Sequence, residues 1–228
     1  SMQKVENWAK EVLKVDFDAI DSLVIALTGA SVGSMQQGVK NYEKLEFLGD
    51  SVLNLVVTHK LINRFPDESE GDLARRRAAL VNTETLYKIA KKLKVDEMII
   101  LSTSEEKCGG RQNKRNLENA LEAVIGAIYL DNGFAVAKAM VEQLFVDEVI
   151  QNSVPPRDSK TLLQEVVQKM GLPIPQYSIV SKSGPDHDPE FEIQLVVDNQ
   201  SPVIVKAKSR KIGEKMTAEI MLRRLGAI

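Results

Sequence analysis

From Val5 to about Ile150 the apolar residues recur at three- and four-residue spacing, as in Leu45, Leu48, Val52, Leu55 and Val56 and again in Leu121, Val124, Ile125 and Ile128. That period belongs to helices with one face against a core. Proline, which breaks helices, occurs in this stretch only at Pro66. The segment therefore reads as an all-helical domain, spanning 2–150. At Gln151–Pro156 (QNSVPP) a polar run ending in two prolines reads as a linker with extended backbone.

Beyond the linker, in 157–226, the pattern changes. Ser159 to Met170 reads as an amphipathic helix stopped by Gly171, with Asp158 or Ser159 able to cap its start. Gln176–Ser181, Phe191–Val197 and Val203–Ala207 read as strands separated by the turn-rich SGPDHDP and DNQSP, and a last helix runs from about Lys211 to Leu225. The order α-β-β-β-α predicts a small α+β second domain.

Charge is divided between the two ends of the chain: residues 157–228 hold 11 basic and 9 acidic residues, against 19 and 23 in the rest. An acidic part suits a cation and a basic part suits a polyanion. One cysteine, Cys108, and two histidines, His59 and His187, cannot build a structural zinc site, so any metal must be held by oxygen. No apolar run reaches the roughly 18 residues of a membrane span and no signal-peptide pattern opens the chain, which predicts a cytosolic protein with no membrane partner.

In NYEKLEFLGDSVLNLVV, Glu43, Glu46 and Asp50 are three and four residues apart and share one helix face. A solvated face is the ordinary reading of such acids. The same face, however, continues through Leu53 and Val57, while Leu45, Leu48, Val52 and Val56 occupy the opposite side. A helix apolar on both sides is buried, and buried like charges need a cation. A second helix carries the core stripe Leu121, Val124, Ile125 and Ile128, with Asn119 and Glu122 on its other face beside Ala123, Gly126 and Leu130. Small residues there permit a close neighbour. If that neighbour is the first helix, Glu46, Asp50, Asn119 and Glu122 converge on a hard ion such as Mg²⁺. Spacing alone leaves this open against two unrelated helices with partly exposed acids. The chemistry that several carboxylates without histidine would suit is ion-assisted phosphodiester hydrolysis.

The run Asn41-Tyr42-Glu43-Lys44-Leu45-Glu46-Phe47-Leu48-Gly49-Asp50-Ser51 resembles the ribonuclease III family signature, NERLEFLGDS. Glu70-Gly71-Asp72-Leu73 with Arg75 and Arg77, Gly109-Gly110, Glu122 to Ala127 and Leu130-Asp131 follow in the family's order. The Gly184-Pro185-Asp186-His187 turn and Ser209-Arg210-Lys211 resemble a double-stranded-RNA-binding domain. The resemblance implies an all-α endonuclease domain followed by that domain, forming a homodimeric, Mg²⁺-dependent enzyme in which Mn²⁺ substitutes. It would cut both strands of an RNA duplex to 5′-phosphate and 3′-hydroxyl ends with short 3′ overhangs, processing ribosomal, messenger and transfer RNA precursors. Glu46 and Glu122 then match metal ligands, with Asn119 and Asp50 completing the set, and Asp50 and Glu122 are the expected catalytic acids. Glu43, Glu70 and Glu105 match supporting acids of the cleft, and Phe47 the aromatic inserted into the partner subunit, a plain core phenylalanine being the alternative.

Asn119 departs from the family's aspartate. Its amide oxygen coordinates without bringing charge, so ion affinity falls unless something compensates. Glu118, about 100° further around the helix, is not expected to take its place. A weakened site would leave a duplex-RNA-binding regulator as the rival reading. Duplex readers sense shape across minor grooves and the phosphates between. Gln164, with its neighbour Glu165, and His187, Lys208, Arg210 and Lys211 are the residues expected to do so, with Lys206 beside them. For the basic residues a solvated charged end is the alternative, and for His187 a turn role without RNA. The Arg75, Arg76 and Arg77 run reads equally as a phosphate contact or a helix surface.

Overall fold

The computed structural model describes residues 2–35, 38–145, 158–185 and 187–228, and the chain forms two compact units that divide after Pro156. The proposed linker at 151–156 and the end of the helical reading, 146–150, lie outside the described residues, as does Asp186.

The first unit is helical: α1 (Met2–Trp8, continued by a π turn over Ala9–Leu13), α2 (Ile20–Ala26), α3 (Ala30–Met35), α4 (Glu43–Arg64), α5 (Glu70–Leu80), α6 (Thr83–Lys92), α7 (Val95–Met98), α8 (Thr103–Lys107), α9 (Lys114–Asn132) and α10 (Phe134–Leu144). Helix α9 is the hub. Asn113 caps its start by accepting from the Arg115 and Asn116 amides, and Gly133, at φ 85°, ends it. Every residue from Leu117 to Ile128, apart from Asn119, is buried, as a helix surrounded by others must be. Helix α4 lies against it more extensively than any other pair of helices packs.

The expected core positions Leu45, Val52, Leu53, Val56 and Val57 are buried. Leu55 is not: it is exposed, on the same side of α4 as the exposed Ile62, two turns away. Phe47 is 80% exposed, which removes the core reading of that residue.

The three arginines of α5 separate. Arg76 is buried, forks onto Glu68 at 2.7 and 2.5 Å and covers the Phe65 ring, while Arg77 donates to Thr58 at 2.9 Å and Arg75 to Asp72 at 2.6 Å. Arg76 thus serves the fold.

The second unit is α11 (Ser159–Lys169), β1 (Gln176–Ser183), β2 (Glu190–Val196), β3 (Val203–Ala207) and α12 (Arg210–Arg224), with strand order β1-β2-β3 and antiparallel pairing throughout. Strand register sets Ile193 opposite both Ile179 and Val205. Asp158, not Ser159, caps α11, accepting from the Lys160 and Thr161 amides. Leu163 and Val167 of α11 and Ala218, Met221 and Leu222 of α12 close over Leu195 and Val203 of the sheet and Val197 just past β2. No helix among the described residues is long and apolar enough to cross a membrane.

Candidate active site

The site exists because two helix backbones touch. A Cβ at Gly49 would stand 1.7 Å from the Glu122 carbonyl oxygen, and one at Gly126 would stand 2.3 Å from that of Leu45. Glycine at both positions lets α4 and α9 cross without side chains between them. Glu46 and Asp50, flanking Gly49, are thereby brought to Glu122. The small-residue argument from sequence names Gly126; its counterpart Gly49 lies in the signature itself.

Glu122 is only 8% exposed. Burial, then the charges of Asp50, Glu118 and Glu46, push its carboxyl up to about 8 from the usual 4.5. Glu46 is half-buried and raised as well, by burial first and then by Glu43 and Glu118, with Arg115 opposing. Asp50 is exposed, and its Oδ1 accepts from Asn54 Nδ2 at 2.7 Å. Asn119 is hydrogen-bonded to the buried Tyr42 hydroxyl, which burial raises and this bond partly lowers.

The supporting acids divide. Glu43 is exposed and held by Asn41 at 2.9 Å, close enough to act on Glu46. Glu105 accepts from Asn116 at 2.7 Å and acts on Tyr42, on the flank of the site. Its side chain packs where a Cβ at Gly110 would collide with it at 2.4 Å, which accounts for the glycine of the Gly109-Gly110 pair. Glu70 is not brought to this group within one protomer. It lines a groove with Thr58, Leu61 and Ile62, and the rigid rise of α4 carries Thr58 about 12 Å past Asp50.

All the converging donors are oxygen, the kind a hard divalent cation takes. A buried carboxyl among like charges is stable only with a proton or a cation, so the donor set fits such an ion. Among the described residues no three acidic, histidine or cysteine side chains are already gathered around one point. Sequence reading missed Tyr42 as the partner of Asn119 and Glu118 as a neighbour of Glu122. The four-residue spacing of Glu118 and Glu122 was the available signal.

In the second unit Gln164 of α11 and Lys211 of α12 line one groove, together with Lys160 and Lys215. Lys208 pairs with Asp188 at 2.8 Å beside the exposed His187, and Arg210 with Glu214 at 2.8 Å. Ser209 caps α12 by accepting from the Ile212 amide, and Arg210 and Lys211 stand in the first turn, at the positive end of that helix.

One chain thus carries a helical body with the buried carboxylate of Glu122 at its helix crossing and an α-β-β-β-α unit presenting lysines. Residues 21–149 match a family model described as ribonuclease-III-like and residues 159–225 match the double-stranded RNA binding motif. Ribonuclease 3 of Ehrlichia ruminantium (strain Gardel) is 42% identical over 221 residues, covering 97% of each chain. Ribonuclease 3 of the Wolbachia of Brugia malayi (strain TRS) is 41% identical, over 99% of this chain and 93% of that protein. The solved nuclease domain of ribonuclease III from Campylobacter jejuni, whose description concerns a region involved in dimer formation, superposes with a TM-score of 0.58 at 41% identity, covering 61% of this chain and 95% of that one. The chain belongs to the ribonuclease III family of endoribonucleases.

Proposed function

We propose that the protein is a Mg²⁺-dependent endoribonuclease, Mn²⁺ substituting, that cuts both strands of an RNA duplex to 5′-phosphate and 3′-hydroxyl ends with short 3′ overhangs. The observation that carries this is the Gly49–Gly126 crossing, which sets Glu46 and Asp50 against the buried Glu122. Glu46, Glu122 and the Asn119 amide oxygen hold the ion, Asp50 completes the set as the catalytic acid, and Glu43 and Glu105 support it from the flanks. Bound divalent ions supply charge stabilisation at the scissile phosphate and a more acidic water. The protein's share is to bind the duplex and to hold the acids together at the helix crossing.

The reading assigns 2–150 to nuclease and dimerisation, 151–156 to a linker and 157–226 to duplex binding. It places the protein in the cytoplasm, acting on ribosomal, messenger and transfer RNA precursors. A second copy is its partner. Phe47, Leu55 and Ile62 leave an exposed apolar stripe along α4, larger side chains than a free surface ordinarily shows in a row. Antiparallel pairing of two such stripes about Leu55 sets the Glu70 end of one copy toward the acid end of the other, which gives Glu70 a role that one protomer cannot.

Incubating the whole chain with a long RNA duplex and Mg²⁺ tests the activity. Discrete short products with 5′-phosphates are expected. A shifted complex without products would establish the duplex-binding regulator instead.

For the second unit, Gln164, His187, Lys208, Arg210 and Lys211 form the duplex-reading face. Lys211→Ala is expected to flatten the slope of log affinity against log salt by about one unit, since one phosphate contact is lost. An unchanged slope removes Lys211 from the interface.

A further inference from the structure

Glu118 has no part in the family resemblance, yet its position is unusual for a carboxylate. It is 9% exposed. One oxygen, Oε1, accepts from Thr83 at 3.2 Å; the other, Oε2, is buried with no hydrogen-bond partner and has only the Arg115 guanidinium at 3.9 Å, on a side chain that is itself mostly in solvent. A buried, half-satisfied carboxylate is costly on its own. Its surroundings worsen that cost, since its charge is felt at both Glu46 and Glu122.

Measured from Asn119, Glu118 lies about 100° away and cannot occupy the same position. Measured from Glu122 the result differs. Residues four apart on a helix are displaced by only about 40°, and residues three apart by about 60°, so Glu118 and Asn119 flank Glu122 on opposite sides at comparable reach. The side lacking charge and the side carrying a buried charge with one oxygen free of hydrogen bonds face each other across the same carboxylate.

We propose that Glu118 is a further ion-supporting residue of this site, supplying from one flank of Glu122 the negative charge that Asn119 withholds on the other. This rests on the ion-site reading above. A cation at Glu122 gives the Oε2 oxygen a stronger counter-charge than the solvent-exposed Arg115 guanidinium 3.9 Å away, and Thr83, by holding Oε1, orients the group. Affinity for a divalent ion depends on the number of charged ligands and on the groups that orient them, so the asparagine is tolerated because the charge is retained one residue away.

The test is Mn²⁺ binding to the RNA-free whole chain, followed by the electron paramagnetic resonance signal of the free ion. Glu118→Gln, which keeps the oxygen that accepts from Thr83, is expected to weaken Mn²⁺ binding about tenfold. Asn119→Asp is expected to gain less than about threefold in the wild-type background and about tenfold in the Glu118→Gln background, the non-additivity expected of groups sharing one ion. Equal binding by Glu118→Gln and wild type, or equal gains in both backgrounds, overturns the proposal. Should Glu118→Gln fail to fold, Asn119→Asp alone decides: a tenfold gain in the wild-type background overturns the compensation and a small one supports it. Glu122→Gln separates the two levels. If it and Glu118→Gln both bind like wild type, the ion-site reading itself has failed; if only Glu122→Gln loses binding, the site stands and the role of Glu118 falls.

Discussion

Glu122→Gln is expected to lower the rate of duplex cleavage by more than 100-fold while making the ion-free protein more stable at pH 8. Losses of groups that merely orient metal ligands run at about 10–100-fold, and Glu122 stands at the centre of the arrangement, so its loss should exceed that range. The stability effect runs the other way because of where the carboxyl sits. Its folded-state value, about 8, lies above its usual 4.5. Between those pH values the folded protein retains a proton that the unfolded chain gives up, so stability falls as pH rises through the window. Below pH 4.5 both states are protonated and the contribution is level. Glutamine has nothing to ionise, so its advantage in chelator should be absent at pH 4.5 and grow toward pH 8. Adding Mg²⁺ should reverse the order, stabilising wild type and not the variant. Thermal unfolding of both proteins at pH 5 and pH 8, with chelator and with Mg²⁺, reads all of this. A wild type that is insensitive to Mg²⁺, with cleavage undiminished in the variant, would remove Glu122 from the site.

Glu122 was singled out in the sequence as an acid beside an apolar stripe, and the contrast with its neighbours is instructive. Helical period identified α4 and α9, because burial of one face is written in the spacing of Leu45, Val52 and Val56 or of Leu121, Val124 and Ile128. The same spacing could not separate Leu48 from Leu55: both are leucines on α4, and only one faces the core. An apolar residue kept for an interface has the same composition as one kept for the interior. Like charge beside an apolar stripe singled out Glu46, Asp50 and Glu122 as candidates, but spacing alone left open whether their two helices meet. Glu70 was legible as a motif and not as a position, since nothing in a linear motif states that a rigid 22-residue helix carries it away from the other acids. Glu118 was passed over because its angle was measured from Asn119 alone. Strands and caps in the second unit were readable from turn residues, as the Asp158 cap and the ends of β1 to β3 show, because those signals are local. Which lysines pair with acids, as Lys208 does with Asp188, depends on strand register and was not.

The crossing itself offers the sharpest test of the structure. Gly49→Ala places a methyl group 1.7 Å from the Glu122 carbonyl oxygen, a backbone atom in the middle of a helix buried on most of its surface. No rotamer change relieves this contact, so α4 and α9 must move apart or bend. Overpacking costs typically about 1–3 kcal/mol, and against a backbone oxygen that cannot rotate away about 3 kcal/mol is expected, which for a unit of this size lowers Tm by roughly 6–12 °C. Because the displaced backbone is that of Glu122, cleavage should fall further than the loss of folded protein explains, even at a temperature where the variant is fully folded. Gly71→Ala is the control: a Cβ there finds its nearest neighbours at 3.7 Å, an ordinary contact, in the first turn of α5. It should leave Tm unchanged or slightly raised, as alanine is the better helix former. Thermal unfolding and single-turnover cleavage of the two variants side by side decide the matter. If Gly49→Ala unfolds within about 2 °C of wild type and cleaves equally well, the helices do not meet backbone to backbone. The acids would then need another reason to be together. If it unfolds early and cleaves poorly, a single missing methyl group is what allows Glu46 and Asp50 to reach Glu122, and the glycine of the signature is part of the chemistry as much as its acids are.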